Sequence, residues 1–296
     1  MLFIHPNQPV NKKCTLNKKL RHWWLAHPQF CKGLIWHDLL GVLDGSYVSM
    51  SKTGLGLKGN NGNRNIYGSV VFDGLASRVK LDPYISNKTL SNTLFGFTIF
   101  IVLKLNINQV QRNIWTKATS GTIFGWGVGI DDNSSNKFKF VTGNGASMDN
   151  LVSRSSIPIN TWSTVAFTCD GGAGAGANKK YIYINGRLDQ SAPFNQALTY
   201  SGSSPSSIGF WEAGNAQFFN GAIASLMFYD RCLSTDEIYL LHNSYTKGFT
   251  PQLNILKPYI FNTDLSSVQS SVSKYVRRDF GGDLRGVYRG AARGVV

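Results

Sequence analysis

The side chains whose types and spacing most suggest chemistry are tryptophans near turns rich in aspartate and asparagine. Trp126 shortly precedes the run Asp131-Asp132-Asn133, and Trp211 shortly precedes Asn215. An indole ring can pack against the apolar face of a sugar, while aspartate and asparagine can hydrogen-bond its hydroxyl groups. The pattern predicts six candidate carbohydrate-binding residues, Trp126, Asp131, Asp132, Asn133, Trp211 and Asn215. The alternative is that the tryptophans pack in the core or at its rim and the polar residues only form turns.

The carboxylates do not form the pair that glycoside hydrolysis requires. A retaining glycosidase holds two carboxyl groups about 5 Å apart. The two glutamates of this chain, Glu212 and Glu237, are 25 positions apart. Asp131 and Asp132 are adjacent, so on a strand their side chains would point to opposite faces. No Gly-x-Ser-x-Gly or His-Glu-x-x-His motif is present. We therefore predict no catalytic residue and no enzymatic activity.

Cysteine and histidine spacing predicts no cofactor. The four cysteines are too few for a disulfide framework in 296 residues, and none forms a Cys-x-x-Cys pair. The five histidines give no zinc spacing. Oxygen ligands are plentiful in the predicted loops, but no diagnostic Ca²⁺ motif is present. Reduced structural thiols are the default expectation, while Ca²⁺ binding and a Cys14–Cys31 bridge stay open.

The positive charge is concentrated near the two ends of the sequence. The net charge is +14, and residues 1–37 carry six basic side chains without an acidic one. Residues 274–296 carry six more against Asp279 and Asp283. Such a distribution predicts attachment to an acidic surface, whereas the alternative is that the ends only confer solubility. The predicted anchoring residues are Lys12, Lys13, Lys18, Lys19, Arg277, Arg278, Arg285, Arg289 and Arg293.

Composition predicts a folded protein without a membrane-spanning segment. Hydrophobic residues make up 42% of the chain and charged residues only 16%, which is enough apolar material for one large core. No run approaches the ~20 consecutive apolar residues of a transmembrane helix. In the opening MLFIHPNQPVNKKC the lysines follow the apolar piece, which is the wrong order for a secretory signal.

The elements that would position these residues are short strands. From about residue 66 to 230, β-branched and aromatic runs such as 97–105 and 162–169 are separated by Gly, Asp and Asn turn signals. Asn185-Gly186 between two such runs is a strong hairpin signal. A short helix is predicted near 234–243, with Ser234 and Glu237 forming a capping box. This succession, without intervening helices, favours an antiparallel sandwich.

Several segments resemble a known family in both sequence and order. The segments are Trp162–Gly171, Tyr181–Arg187, Ser207–Phe210 and Phe219–Ile238, preceded by Ile35-Trp-His-Asp-Leu39 and Val70-Val-Phe-Asp-Gly74. Together they resemble the laminin-G-like branch of the concanavalin A-like lectin/glucanase superfamily. The resemblance implies an all-β fold, a two-sheet antiparallel jelly-roll sandwich with one short helix. The composition of the segments on either side of it predicts extended arms at both ends. The predicted domains are a basic N-terminal arm over 1–19, the sandwich over 20–245 and a C-terminal extension with an Arg/Gly-rich tail over 246–296.

The resemblance also implies a range of functions. Laminin-G-like domains of this pattern resemble proteins common in bacteriophage structural modules, which need no signal peptide because particles assemble in the host cytoplasm. The leading hypothesis is a non-catalytic virion protein, decorating the capsid or forming part of the tail or adsorption apparatus. Its partners would be other virion proteins, further copies of itself and host glycans. The alternatives are a free-standing lectin-like protein and a nucleic-acid-associated protein that uses Tyr275, Phe280, Tyr288 and the neighbouring arginines.

Overall fold

The computed structural model describes residues 15–27, 30–50, 68–83, 90, 96–117, 124–144, 147–171, 179–193, 206–212, 214 and 216–246. These residues form two antiparallel sheets, as predicted, and a helix that follows the last strand. The N-terminal arm before residue 15, the C-terminal extension after residue 246 and Asn215 lie outside the described residues.

The first sheet has seven strands. Its order is β1-β16-β7-β12-β13-β14, and β5 also pairs with β16. The strands are β1 (Leu20–Leu25), β5 (Val70–Asp73), β7 (Gly96–Leu105), β12 (Ser163–Asp170), β13 (Lys179–Ile184), β14 (Arg187–Pro193) and β16 (Asn220–Tyr229).

The second sheet has nine strands. Its order is β11-β10-β9-β8-β15-β6-β4-β3-β2, again antiparallel throughout. The strands are β2 (Cys31–Lys32), β3 (Ile35–Trp36), β4 (Gly45–Val48), β6 (Arg78–Leu81), β8 (Arg112–Lys117), β9 (Phe124–Ile130), β10 (Lys137–Asn144), β11 (Met148–Ser156) and β15 (Ser206–Ile208).

The main core lies between the sheets and is dominated by aromatic side chains. Trp115 and Trp126 meet edge to face at 4.8 Å between ring centroids, and Phe228 stacks on Trp126 at 5.9 Å. Phe97 stacks on Phe228, and Trp24 meets Trp115 edge to face. Because each ring buries a large apolar area, this cluster joins both sheets through β1, β7, β8, β9 and β16.

A second apolar layer covers the outer face of the seven-stranded sheet. Helix α1 (Thr235–Thr246) buries Ile238, Leu241 and Tyr245 there, against Phe100 of β7 and Met227 of β16. The central strands β7, β12 and β16 are therefore buried on both faces. This explains why their sequences are continuous apolar runs rather than an alternation of apolar and polar residues.

The capping box of α1 is confirmed. The N–H of Glu237 donates to Ser234 Oγ at 3.2 Å, and the N–H of Ser234 donates to Glu237 Oε2 at 3.0 Å. The predicted end near 243 is wrong, because the helix continues to Thr246. The last turn is held by Tyr245, which is 3% exposed and donates its hydroxyl to Ser225 Oγ at 2.9 Å.

Asp38 and His22 close one side of the sandwich. Both side chains are fully buried, and His22 Nδ1 donates to Asp38 Oδ2 at 2.8 Å. The carboxylate also accepts the N–H of Trp23 at 2.9 Å, and those of three residues in the loop after β3, Leu40, Val42 and Leu43. Since β1 and β3 belong to different sheets, Asp38 links the two sheets and shapes the connecting loop.

Lys180 and Asp189 join the sheets at the opposite side. The fully buried Lys180 of β13 donates from Nζ to the carbonyl of Asp149 at 2.7 Å, to its carboxylate at 3.1 Å and to Thr142 Oγ1 at 3.2 Å. Burial lowers the pKa of Lys180, an effect that Asp149 opposes. Asp189 of β14 accepts the N–H groups of Arg154 and Ser155 on β11.

The start of the described chain packs on the sandwich rather than standing apart from it. Leu16 packs in the layer beneath α1. The carbonyl of Lys18 accepts Arg231 Nε at 2.7 Å, and that of Lys19 accepts the N–H of Asp230 at 2.8 Å. Residues 15–19, which the predicted domain boundary assigned to the arm, therefore contact the sandwich.

Asp73 ends β5 in a tight turn that favours its charged form. Its Oδ1 accepts the hydroxyl of Ser77 at 2.6 Å and the N–H groups of Leu75, Ala76 and Ser77. Burial alone would raise the pKa of Asp73, but these hydrogen bonds together hold the pKa well below its ordinary value. The folded state therefore binds the proton more weakly than the unfolded state does.

We expect part of the acid sensitivity of this protein to come from Asp73. The stability that its carboxylate contributes is present above the unfolded pKa of about 4 and is lost as the pH falls below it. Asp73→Asn should be less stable than the native chain at pH 5, with the difference shrinking towards pH 2. Urea unfolding at both pH values measures this difference, and a difference that does not change with pH would contradict the prediction.

Candidate binding site on the nine-stranded sheet

Trp126, predicted as a sugar platform, lies in the core. The residue is fully buried, and its ring contacts Phe97, Trp115 and Phe228. Its neighbours along β9, Gly125 and Gly127, occupy positions on the other face of the sheet. Neither ring face of Trp126 is open to a ligand, so the alternative stated for this residue, packing in the core, is the one that the structure favours.

The run 131–133 forms the connection between β9 and β10. Asp131 is 7% exposed, its Oδ2 accepts the N–H of Asn133 at 3.2 Å, and its carbonyl accepts the N–H of Gln111. Asp132 is exposed and pairs with Lys139 Nζ at 2.6 Å. Asp131 therefore shapes the turn, whereas the outer carboxylate of Asp132 is already engaged by a lysine.

Trp211 lies on a short loop between β15 and β16. Its N–H donates to the carbonyl of Ala216 at 3.2 Å, which closes the loop as a narrow hairpin. The indole lies against Gly214, where an added Cβ would be 2.4 Å from Cε3, so only glycine fits beneath the ring. The residue is half-buried, and its buried Nε1 has no hydrogen-bond partner among the described residues. Of the predicted tryptophans, Trp211 is the one that keeps contact with solvent.

Glu212, the residue after Trp211, is held by side chains on the outer face of the nine-stranded sheet. Glu212 accepts the hydroxyl of Ser207 and lies 3.4 Å from Arg78 Nε. The guanidinium of Arg78 lies 4.7 Å above the ring of Phe210, which stacks on Phe218 at 4.3 Å. Arg78 is thereby fixed between a carboxylate and an aromatic pair, a geometry that suits its planar, weakly hydrated cation.

The turn at 131–133 and the Trp211 loop lie on either side of the start of β8. Gln111 donates its N–H to the carbonyl of Asp131, and Asn113 donates its N–H to the carbonyl of Gln217 at 3.0 Å. The side-chain amide of Asn113 also contacts Gln217 Oε1. The turn at 131–133 and the Trp211 loop therefore belong to one end of the nine-stranded sheet, although no contact joins their described side chains directly.

Sequence reasoning missed the basic residues of β6. Arg78 and Lys80 share the outer face of this strand, while Val79 and Leu81 between and after them are buried in the core. The alternation Arg-Val-Lys-Leu was a usable signal, because alternate residues of a strand share a face. This alternation could not show that the loop with Phe210 and Glu212 packs beside the strand, because these residues are far from Arg78 in the chain.

Two predicted anchoring residues can be located. Lys18 and Lys19 are exposed, and their backbone carbonyls bind the segment after β16. The remaining anchoring residues, Lys12, Lys13, Arg277, Arg278, Arg285, Arg289 and Arg293, lie outside the described residues. The attachment of this protein through its basic ends therefore stays a prediction.

The cysteines have the properties of packed thiols. Cys31, Cys169 and Cys232 are free, and Cys14 lies outside the described residues. Burial raises the pKa of Cys232 to about 11 and raises that of Cys169 further, which disfavours the reactive thiolate. Within the described ranges, no group of three or more His, Cys, Asp and Glu side chains comes together to hold a metal ion.

Both glutamates have structural partners. Glu237 caps α1 and forms a paired ion contact with Arg231, whose two terminal nitrogens lie 2.7 Å from the carboxylate oxygens. Burial raises the pKa of Glu237, but the hydrogen bonds with Arg231 and Ser234 outweigh burial and lower it overall. Glu212 is bound by Ser207 and Arg78 on the other sheet. The carboxylates therefore hold the fold together in different places.

The fold and the sequence together define a lectin-type sandwich. Residues 79–239 match the family Laminin_G_3, described as concanavalin A-like lectin/glucanases superfamily. The match covers more than half of the chain, so this chain belongs to that family. No curated protein gives a significant sequence match.

Solved structures with the same fold include the binding domains of botulinum neurotoxins and one domain of an arabinanase. The binding domain of botulinum neurotoxin serotype D/C is 17% identical, with a TM-score of 0.54 over 79% of this chain and 54% of that chain. The same domain type in complex with SialylT is 16% identical, with a TM-score of 0.52 over 79% and 53%. Domain 4 of an extracellular arabinanase from Geobacillus stearothermophilus, in complex with arabinotriose, is 16% identical, with a TM-score of 0.53 over 75% and 97%.

These similarities are limited in coverage and in sequence identity. The chain spans about half the length of the neurotoxin binding domains that it matches, and at such identities the likeness establishes the fold alone. The family fold is that of lectin-like binding domains. Among the helices of the described part of the chain, none is long and apolar enough to cross a lipid bilayer.

Proposed function

We propose that this protein is a non-catalytic structural component of a bacteriophage virion that contacts host glycans through its sandwich. The membership of a lectin-like family supports the binding part of this proposal. Two proteins with the same fold were solved with carbohydrate-related ligands, arabinotriose and SialylT. The half-exposed Trp211, beside the polar cluster of Glu212, Ser207 and Arg78, offers the kind of surface to which sugars bind.

The observation that carries the structural role is the concentration of charge near the ends. Residues 1–37 and 274–296 hold most of the net charge of +14, and the part between them is close to neutral for its length. Basic segments of this kind bind acidic protein surfaces, because many exposed cations together create a long-range attractive field. The sandwich would then be free to face the host, either as a capsid decoration or within the tail or adsorption apparatus.

The test is the composition of purified particles. Mass spectrometry should detect the native chain in virions of a phage that encodes it. A variant lacking residues 1–14 and 274–296 should fold but be lost from particles, since those deletions leave residues 15–19 on the sandwich. A matched variant keeps the full length but replaces the lysines and arginines of these segments with glutamine, and it should be lost as well. Normal incorporation of both variants would overturn the proposal.

A free-standing lectin is the second candidate, favoured by the arabinotriose complex of a structural neighbour. This function would require strong sugar binding that does not depend on the basic ends or on particles. Screening the full chain and the glutamine variant against a glycan array, each with and without EDTA, separates the two candidates. Equal, metal-dependent sugar binding by both proteins, with no chain in particles, would favour the lectin.

A further inference from the structure

One half of the nine-stranded sheet is built from strands without carboxylates, and Glu212 of the Trp211 loop pairs with Arg78 on its outer face. The five strands β2, β3, β4, β6 and β15 contain no acidic residue. On their outer face, register pairs Ser207 with Lys80, Lys80 with Ser46, and Ile35 of β3 with both Ser46 and Lys32. Lys80 and Lys32 are exposed, and Arg78 is on the same face two residues before Lys80. The result is a basic surface with the exposed Ser46 on one side of Lys80, while Ser207 on the other side is buried and donates to Glu212.

Arg78 provides a fixed cation on this surface. Its Nε side faces Glu212, and its plane is supported by Phe210. No other hydrogen bond from its terminal nitrogens to a described residue is formed, and the side chain is 27% exposed. A guanidinium held in this way needs little further ordering to bind a carboxylate or sulfate, because its orientation is already determined.

Lys80 provides a second cation with no ion-pair partner among the described residues. Its Cα is about 6.8 Å from that of Arg78, since alternate residues of a strand are two rises apart. Ser46 and Ser207 flank it on the neighbouring strands, at about 4.8 Å between strand axes. Glu212 partly balances the charge of Arg78, so Lys80 is the cation of this pair whose charge a bound anion would balance.

We propose that the outer face around Arg78 and Lys80, next to the Trp211 loop, binds a glycan that carries carboxylate or sulfate groups. The cations would bind the acidic groups, while the hydroxyl of the exposed Ser46 is placed to meet a sugar hydroxyl. This inference rests on the proposed glycan-binding function and specifies the ligand class. It also names a surface distinct from the turn at 131–133, where Asp132 is already paired with Lys139.

The test compares charge reversals on the two sheets in the full chain. Lys80→Glu changes an exposed side chain without a described partner, so the fold should be unaffected. Arg187→Glu is the matched control, because Arg187 is an exposed strand residue at the edge of the other sheet, on β14. Each protein is titrated with tetragalacturonate, a chondroitin sulfate tetrasaccharide, neutral cellotetraose and a short DNA duplex, at two salt concentrations.

We expect Lys80→Glu to weaken the binding of an acidic tetrasaccharide by about tenfold or more, which is typical for losing one charge-assisted contact. Arg187→Glu should leave it within about twofold. Binding of tetragalacturonate alone would identify carboxylate as the group recognised, and binding of both acidic sugars would indicate that charge decides. Arg78→Gln should weaken the same ligands, with unfolding measured alongside because Arg78 also supports Phe210.

Four outcomes would overturn the inference. Equal losses for Lys80→Glu and Arg187→Glu, or DNA binding with the same dependence on Lys80, would mean that the surface attracts polyanions without selectivity. Binding of cellotetraose in preference to both acidic sugars would remove the ligand class but leave the glycan-binding function standing. Failure of every glycan to bind would remove both proposals together.

Discussion

Replacing Asp38 with alanine should lower the free energy of unfolding by about 3–5 kcal/mol, because several buried hydrogen-bond donors lose their acceptor at once. The change leaves His22 without its acceptor, and the N–H groups of Trp23 and Leu43 also lose theirs in the protein interior. Each buried donor without a partner costs about 1–3 kcal/mol. Urea unfolding followed by tryptophan fluorescence measures the loss.

The control for Asp38 is Asp44 in the same loop. Asp44 accepts the N–H of Asp38 and contacts His37, but its side chain is 45% exposed. Water can replace what it loses, so Asp44→Ala should cost about 1 kcal/mol or less. A loss for Asp38→Ala as small as that for Asp44→Ala would show that Asp38 does not hold the two sheets together.

Replacing Trp126 with alanine should cost about 3–5 kcal/mol, the usual range for removing a large buried aromatic side chain. The cavity would lie among Phe97, Trp115 and Phe228, which join both sheets and cannot all move inward. Thermal and urea unfolding measure the loss. When the variant is studied below its melting temperature, its glycan binding should match that of the native chain.

Trp211→Ala is the matched comparison for Trp126→Ala. Trp211 is half-buried on a surface loop, so its removal should cost much less stability, on the order of 1 kcal/mol, and should weaken glycan binding. The opposite pattern would contradict the placement of the two residues. Specifically, a stable Trp126→Ala protein with impaired binding would mean that Trp126 reaches the ligand.

Local signals in the sequence predicted local structure well. Asn185-Gly186 forms the tight hairpin between β13 and β14, with φ angles of 51° and 76° that suit a type I′ turn. The Ser234–Glu237 capping box is confirmed at the start of α1. In both cases the residues that determine the geometry are within four positions of each other, so no distant contact is needed to interpret them.

Features that depend on distant contacts were not predictable in the same way. The helix was expected to end three residues early, because its last turn is held by the contact of Tyr245 with Ser225 on β16. Strand β11 was missed, since its sequence MDNLVSRSS is polar and it lies at a sheet edge. Its position is secured by Lys180 and Asp189, which come from strands of the other sheet.

The candidate site illustrates the same limit. Composition and spacing gave Trp126 and Trp211 equal standing, but the two differ completely in burial. The direction of a strand side chain depends on register, which the sequence does not state. Glycine at every second position of β9, at 125, 127 and 129, was a signal that the intervening residues face the core. It could have assigned Trp126 to the interior.

The packing of Leu16 and Tyr245 has a consequence for orientation. Leu16 and Tyr245 pack in the same apolar layer, on the outer face of the seven-stranded sheet, whereas Lys80 is on the outer face of the opposite sheet. The two outer faces of the sandwich therefore differ: the face of the seven-stranded sheet carries Leu16 and Tyr245, and the face of the nine-stranded sheet carries the basic surface. A protein mounted by the segments beyond residues 15 and 246 would turn Lys80 away from its support, towards whatever approaches from outside.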